Sequence, residues 1–279
     1  MIGKYNEPFN PKEISEIENS IEAKELKDLT EELYKKGLIT TSAGHLKKGM
    51  VKHVFSPEYL WAYVKTIQGC ELKPGMKVLD LGGASTPIVF WCAKKGLDVT
   101  TIDQQSKLVE NTSKIAGIMG WNNLKAIRGD MTDTKLAGKS FDAVFSVAVI
   151  HFLPKDVRKK AMREMARVVK PGGKIGIIFD FGKGTGRKGN YDEEYYNSQH
   201  DPLKDAREIK EMFFVPEVSL IGNQDLSEKI YRDKSAVRKN HISDALKKMS
   251  LKRILALPYL LVNSPYFKYT FYSIFLRKL

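Results

Sequence analysis

The 279-residue sequence predicts a doubly wound α/β fold with a mainly parallel sheet. Three observations carry that reading. From Lys77 onward, short apolar runs alternate with amphipathic stretches, the rhythm of β-α-β-α units. A glycine pair, Gly82 and Gly83, follows the first run. Acids then stand at the ends of successive runs, as Asp80, Asp103 and Asp130. In such sheets ligands bind beyond the C-terminal strand ends, so these are the positions to read for function.

The elements follow in order. Ile14, Ile17, Ile21, Leu26, Leu29 and Leu33 recur at helical spacing, with Gly37 as the expected C-terminal cap. A polar loop, "TTSAGHLKKG", separates them from a second helix around Pro57 to Gly69. "KVLDL", "DVTTID", "LKAIRGD", "FDAVFSV" and "KIGIIFDF" then read as strands. The stretches "PIVFWCAKK", "SKLVENTSKIAGIMG" and "KDVRKKAMREMARVVK" read as helices between strands. A loop rich in Gly, Lys and Tyr follows, then a helix, "LKDAREIKEMFF", and a strand near "EVSLIG". The last candidate, "KYTFYSIFLRK", is apolar on both alternating faces, as a strand covered on both sides requires. The expected organisation is an N-terminal helical cap or lid over 1–75 and a core over 76–279. A loop at 183–205 and a basic helical insertion at 229–267, before the last strand, are expected to form the acceptor site.

At the strand ends, glycine lets the backbone approach a ligand closely. Asp103, 21 positions after Gly82, has the spacing of an acid that accepts from two ribose hydroxyls. Asp130 suits an adenine amino group and Met131 the face of its ring, while Ser146 ends the fourth strand. Three such acids together point to an adenosine-containing ligand. A dinucleotide is the nearest rival, but a pyrophosphate needs more glycines than this loop supplies. "GKGTGRKG" lacks the Gly-Lys-Ser/Thr ending of a phosphate loop.

The residues Asp80-Leu81-Gly82-Gly83, Asp103, Gly129-Asp130 and Phe141-Asp142, followed by "VVKPGGKIGI", resemble class I S-adenosylmethionine-dependent methyltransferases. The resemblance covers roughly Lys77 to Phe181. It implies a seven-stranded sheet whose last strand is antiparallel. It places Asp80 and Gly82 near the methionine portion of S-adenosylmethionine, Asp103 on the ribose, and Asp130 with Met131 at the adenine. Gly83, Gln104 and Ser146 complete the expected cofactor contacts. The loop departs from the family at Ala84 and Thr86, where glycine is usual. Alanine is tolerated if its φ stays negative, and Thr86 before Pro87 reads as a helix start with the hydroxyl as N-cap.

The sulfonium is an activated donor, so such a protein mainly aligns donor and acceptor. His151 is the candidate base, its alternative being a packing histidine. His45, Tyr191, Tyr195 and Tyr196 are the candidate substrate contacts, with His53 a weaker one. No Asn-Pro-Pro-aromatic motif follows the fourth strand, and neither Cys70 nor Cys92 lies at its end, which demotes two kinds of nucleobase methylation. No metal site is expected. The net charge of +13 is uneven, with 11 basic and 11 acidic residues over 1–76 but 12 basic and 2 acidic over 229–279. That bias suits an anionic or membrane-adjacent small-molecule acceptor. A nucleic-acid methyltransferase and a non-catalytic scaffold are the alternatives. The opening "MIGKYNEPFNPKEISEIE" has no apolar signal-peptide core, so a cytoplasmic location, with peripheral membrane contact as a variant, is expected. Ile254 to Leu276 approaches membrane-span length but is divided by prolines, Asn263 and Ser264.

Overall fold

A computed structural model describes residues 5–39, 57–182, 201–222, 225–227 and 269–279. The strands are β1 (Lys77–Leu81), β2 (Asp98–Asp103), β3 (Leu124–Arg128), β4 (Phe141–Val147), β5 (Val169–Gly182), β6 (Val218–Leu220) and β7 (Tyr269–Lys278). The helices are α1 (Ile14–Glu18), α2 (Ile21–Lys35), α3 (Pro57–Gly69), α4 (Pro87–Lys94), α5 (Ser106–Met119), α6 (Lys155–Val168) and α7 (Ala206–Phe213). Among the described residues the strands form one seven-stranded sheet in the order β3-β2-β1-β4-β5-β7-β6. β7 runs antiparallel to both neighbours, and the other strands are parallel to one another.

The period-2 alternation of each strand sorts its side chains between two apolar clusters. Val78, Val99, Phe145 and Ile178 join the cluster containing α2, α3 and α4. Leu79, Leu81, Val144, Ile177 and Phe179 join the opposite one, containing α6 and α7. Helices therefore cover both faces. α3 packs on β4, β5 and β7, so the N-terminal helices share one core with the sheet.

The chain near its start also pairs with the sheet. Phe9 N–H donates to Phe271 O at 2.7 Å, and Ser273 N–H donates to Glu7 O at 2.9 Å. Glu7 then forms a buried ion pair with Lys65 of α3 at 2.8 Å. Trp91 Nε1 and Lys95 Nζ both donate to Glu25, which ties α2 to the α4 end.

Three local readings change. The predicted single N-terminal helix breaks at Asn19, because Ser20 caps α2 by accepting from Ala23 N–H. Ile21 then becomes the first residue of α2 and is 74% exposed rather than core. β5 begins at Val169, before the expected Lys174, because the "PGG" turn is a bulge within the strand. A Cβ on Gly173 would stand 2.9 Å from the carbonyl oxygens of Asp142 and Lys170, so only glycine fits that bulge. The last expectation, a strand at "KYTFYSIFLRK", is met by β7, which occupies the end of the apolar Ile254 to Leu276 stretch. No helix among the described residues is long and apolar enough to cross a membrane. The 229–267 insertion lies outside the described residues.

Candidate active site

The turn after β1 is built around Asp80. Its Oδ2 accepts from Gly83 N–H at 3.0 Å and from the Thr101 hydroxyl at 2.6 Å. A Cβ on Gly83 would lie 2.4 Å from Asp80 Oδ1, so the glycine is required by this approach. Gly82 has φ +84°, and a Cβ there would meet Val149 Cγ1 at 2.6 Å. The turn that follows β4 therefore rests directly on the loop that follows β1.

Ala84 is accommodated as expected, buried and without a positive φ. The left-handed position is the next one, Ser85, at φ +66°. Its hydroxyl accepts from Asn111 Nδ2 at 2.7 Å, an anchor from α5. Thr86 occupies the N-cap backbone position of α4, but its hydroxyl makes no cap bond to the helix. It donates instead to Gly83 O at 2.6 Å and closes the loop on itself.

Asp103, at the end of β2, is buried and faces this loop. Its Oδ1 accepts from Gln105 N–H at 2.9 Å, and the Ala84 and Gln104 amides also support it. Burial raises its pKa to about 6, with those backbone donors opposing the rise. Burial likewise raises Asp80 to about 7, with Thr101 and Gly83 opposing and the nearby Asp103 adding to it. Two buried carboxylates thus converge under one glycine turn.

The remaining predicted cofactor residues are placed differently. Asp130 Oδ1 accepts from both the amide and the hydroxyl of Thr132, at 2.8 and 2.9 Å. Met131 is buried in the apolar cluster of the α6 face. Ser146 is fully buried and donates to Leu81 O at 2.8 Å, tying β4 to β1. Gln104 is half-buried and its carbonyl accepts from Arg128 Nε at 3.3 Å.

His151 sits in a short 3-10 turn, Ile150–Phe152, just beyond β4, and is 2% exposed. Its Nδ1 accepts from Asp180 N–H at 3.1 Å, and Nε2 lies 3.4 Å from Asp180 Oδ2. Both ring nitrogens face one residue of β5, the arrangement of a histidine that positions a turn. Beside it the buried Arg158 of α6 donates to Leu153 O at 2.7 Å and to Asp201 O at 2.6 Å. His45, His53, Tyr191, Tyr195 and Tyr196 lie outside the described residues.

Sequence reading missed Thr101, Ser85, Asn111, Val149 and Arg158. Each acts through a contact between elements, which spacing along the chain does not reveal. The one available signal was Asn111, a polar residue on the inward side of an amphipathic helix. Among the described residues no cluster suits a metal ion.

The site fits S-adenosylmethionine on its own geometry. A Cβ-free cradle at Gly82 and Gly83 allows close approach. Asp103, buried at the end of β2, faces the same turn, and Asp80 Oδ1 is buried with no hydrogen-bond partner.

Comparison with known proteins agrees. The methyltransferase-domain family model matches residues 79–177. A sterol methyltransferase-like protein of Botryococcus braunii is 36% identical over 105 residues, covering 36% of this chain and 26% of the relative. A demethylmenaquinone methyltransferase of Renibacterium salmoninarum is 34% identical over 114 residues, covering 40% of this chain and 44% of the relative. The matched region thus spans less than half the length of these curated relatives. Geranyl diphosphate methyltransferase, solved with S-adenosylmethionine, superposes with a TM-score of 0.55 at 12% identity, covering 85% of this chain and 94% of that one. The cyclase SpnF superposes with a TM-score of 0.56 at 13% identity, covering 99% and 98%. At such identities the two superpositions establish the fold alone. The methyltransferase-domain match falls on residues 79–177, the stretch that builds the sheet centre and the glycine turn after β1.

Proposed function

We propose that the protein transfers a methyl group from S-adenosylmethionine to an oxygen or nitrogen of a small-molecule, glycan-intermediate or lipid-intermediate acceptor. The observation that carries the donor half is the convergence of Asp80 and Asp103 on one glycine turn. Bound there, S-adenosylmethionine supplies a methyl group already activated by its sulfonium. The chain's part is to hold that group in line with the acceptor and to keep the ribose end fixed. Asp103 provides the fixed end, since its carboxylate is oriented by three backbone amides before any ligand arrives. Val149 links this loop to the acceptor side, because it packs against Gly82.

On the acceptor side, the names of the relatives, sterol methyltransferase-like and demethylmenaquinone methyltransferase, favour the lipid-intermediate class. In this reading His151 positions the acceptor turn from its place on Asp180 rather than taking a proton itself. Titration calorimetry with S-adenosylmethionine tests the donor half. The wild type should bind, and Asp103→Ala should weaken binding by about 1–3 kcal/mol through loss of charged hydrogen bonds to ribose. A folded protein that binds no S-adenosylmethionine would overturn the enzyme reading. Transfer of labelled methyl into a lipid extract, compared with a water-soluble extract, tests the acceptor class; label confined to the aqueous fraction would exclude the lipid version.

A further inference from the structure

The helices on the two faces of the sheet differ in charge. On one face α2 has five acidic and three basic side chains, whereas on the other α6 has six basic and two acidic. Of the α6 charges, Arg158 is buried on the carbonyls of Leu153 and Asp201, and Glu164 is buried against Thr134 and Arg167. Lys159, Arg163 and Arg167 recur at every fourth residue and form one exposed line, with Lys160 beside it. Exposed Lys139 stands at the end of that line, its amide donating to Arg167 O at 3.0 Å. Lys155 and Arg167 pair with Glu208 and Glu164, but Lys159, Lys160 and Arg163 make no ion pair among the described residues. Asp156 is the one exposed acid of the helix.

Like charges four residues apart repel and weaken a helix, and an extended anionic surface relieves that repulsion along the whole line. Two polyanions have such a surface, a nucleic acid and an anionic bilayer. Binders of single-stranded nucleic acid interleave aromatic side chains with their cations. The exposed positions of α6 hold no aromatic residue, and the exposed Tyr34 and Tyr59 lie on α2 and α3. We infer that α6 is the face by which the protein docks on an anionic bilayer, through Lys159, Lys160 and Arg163. The choice of a bilayer rests on the lipid-intermediate acceptor class proposed above. The contact is electrostatic and lies among the headgroups, because the apolar side of the helix, Val157, Ala161, Met162 and Met165, is spent on the core. α6 begins just past the turn after β4, at the sheet end that carries Asp103 and the glycine turn. Docking along α6 therefore brings that end of the sheet to the bilayer surface.

Sedimentation of the full chain with vesicles tests the docking face, using phosphatidylcholine alone and phosphatidylcholine mixed with phosphatidylglycerol. The wild type should bind only the mixed vesicles at low salt and be released as salt rises. The triple variant Lys159→Gln, Lys160→Gln, Arg163→Gln should bind them about a hundredfold more weakly, from the combined loss of three cations at an anionic surface. Its melting midpoint and its affinity for S-adenosylmethionine should match the wild type, since all three side chains are exposed and remote from the glycine turn. A triple variant that sediments like the wild type would place the binding elsewhere in the chain and overturn the inference. So would a wild type that ignores the mixed vesicles, or one that binds a labelled single-stranded RNA more tightly than those vesicles at the same salt. Sedimentation needs neither donor nor acceptor. Vesicle binding through α6 by a protein whose methyl label stays in the aqueous fraction would therefore support the docking face and overturn the acceptor class alone.

Discussion

The two halves of the sheet edge put their buried polar groups to different uses. At the ends of β1 and β2, Asp80 keeps one carboxylate oxygen unbonded, and Asp103 accepts from the amide of Ala84 in the glycine turn. At the ends of β4 and β5 the buried polar side chains bond to neighbouring elements, although Arg158 Nη1 makes no hydrogen bond. Ser146 is bonded to Leu81, His151 to Asp180, and Arg158 to Leu153 and Asp201. The β1–β2 end thus gathers two buried carboxyl groups at the glycine turn, while the β4–β5 end ties neighbouring elements together. The latter end also brings together the flanks of 183–200, since Gly182 N–H donates to Leu203 O at 2.7 Å and Leu203 N–H donates to Asp180 O at 3.0 Å. The lesson is that polar groups along one sheet edge serve two tasks, shaping the turn after β1 and bracing the elements beyond β4.

The largest effect expected from breaking this contrast comes from the β4–β5 end. Arg158→Met removes a buried guanidinium and leaves the carbonyls of Leu153 and Asp201 without their donor. The expected loss is about 3 kcal/mol of stability, in the range typical for breaking a buried network. Urea unfolding measures that loss, and calorimetry on the folded variant should find donor affinity unchanged. A donor affinity that falls with stability would show that the two halves are one coupled unit.

A smaller effect, from the β1–β2 end, is read through pH. Asp80 and Asp103 have folded pKa values of about 7 and about 6, above the ordinary carboxylate range, chiefly because burial disfavours their charge. Between the unfolded value near 4 and these folded values, the folded protein holds protons that the unfolded chain has released. Their stabilising contribution is complete below the unfolded pKa and is lost as pH rises through about 6 to 7. Ion-paired carboxylates such as Glu164 and Glu208 have lowered pKa values and act in the opposite sense, at lower pH. The ligand-free protein should therefore melt a few degrees lower at pH 7 than at pH 5, and Asp80→Asn should flatten that slope. A slope that persists in Asp80→Asn would assign it to other groups. Binding of the cationic donor should strengthen over the same rise in pH, as the carboxylates ionise.

The same contrast explains what the sequence revealed. The sheet, its alternating faces and the positions of Asp80 and Asp103 were legible because strand ends and glycine turns are local patterns. Ile21 misled because helical spacing ignored Ser20, whose cap starts a new helix and turns Ile21 outward. Arg158 read as one cation of a basic amphipathic helix, although it is buried among carbonyls. His151 was visible as a candidate, but its commitment to Asp180 depends on β5, 29 positions later.

The smallest effect concerns Thr86, where sequence and structure assign one hydroxyl to different tasks. As an N-cap it would bond the first-turn amides of α4, and its loss would weaken the helix. In the fold it donates to Gly83 O at 2.6 Å, and its loss should loosen the donor loop instead. Thr86→Ala is expected to cost about 1 kcal/mol of stability, the net worth of a partly buried hydrogen bond. Thr86→Ser should restore it, because serine retains the hydroxyl. Hydrogen exchange distinguishes the two tasks. Faster exchange at Gly83 through Thr86, with α4 amides unchanged, would support the loop tie. Faster exchange confined to the first turn of α4 would restore the N-cap role and remove Thr86 from the donor site.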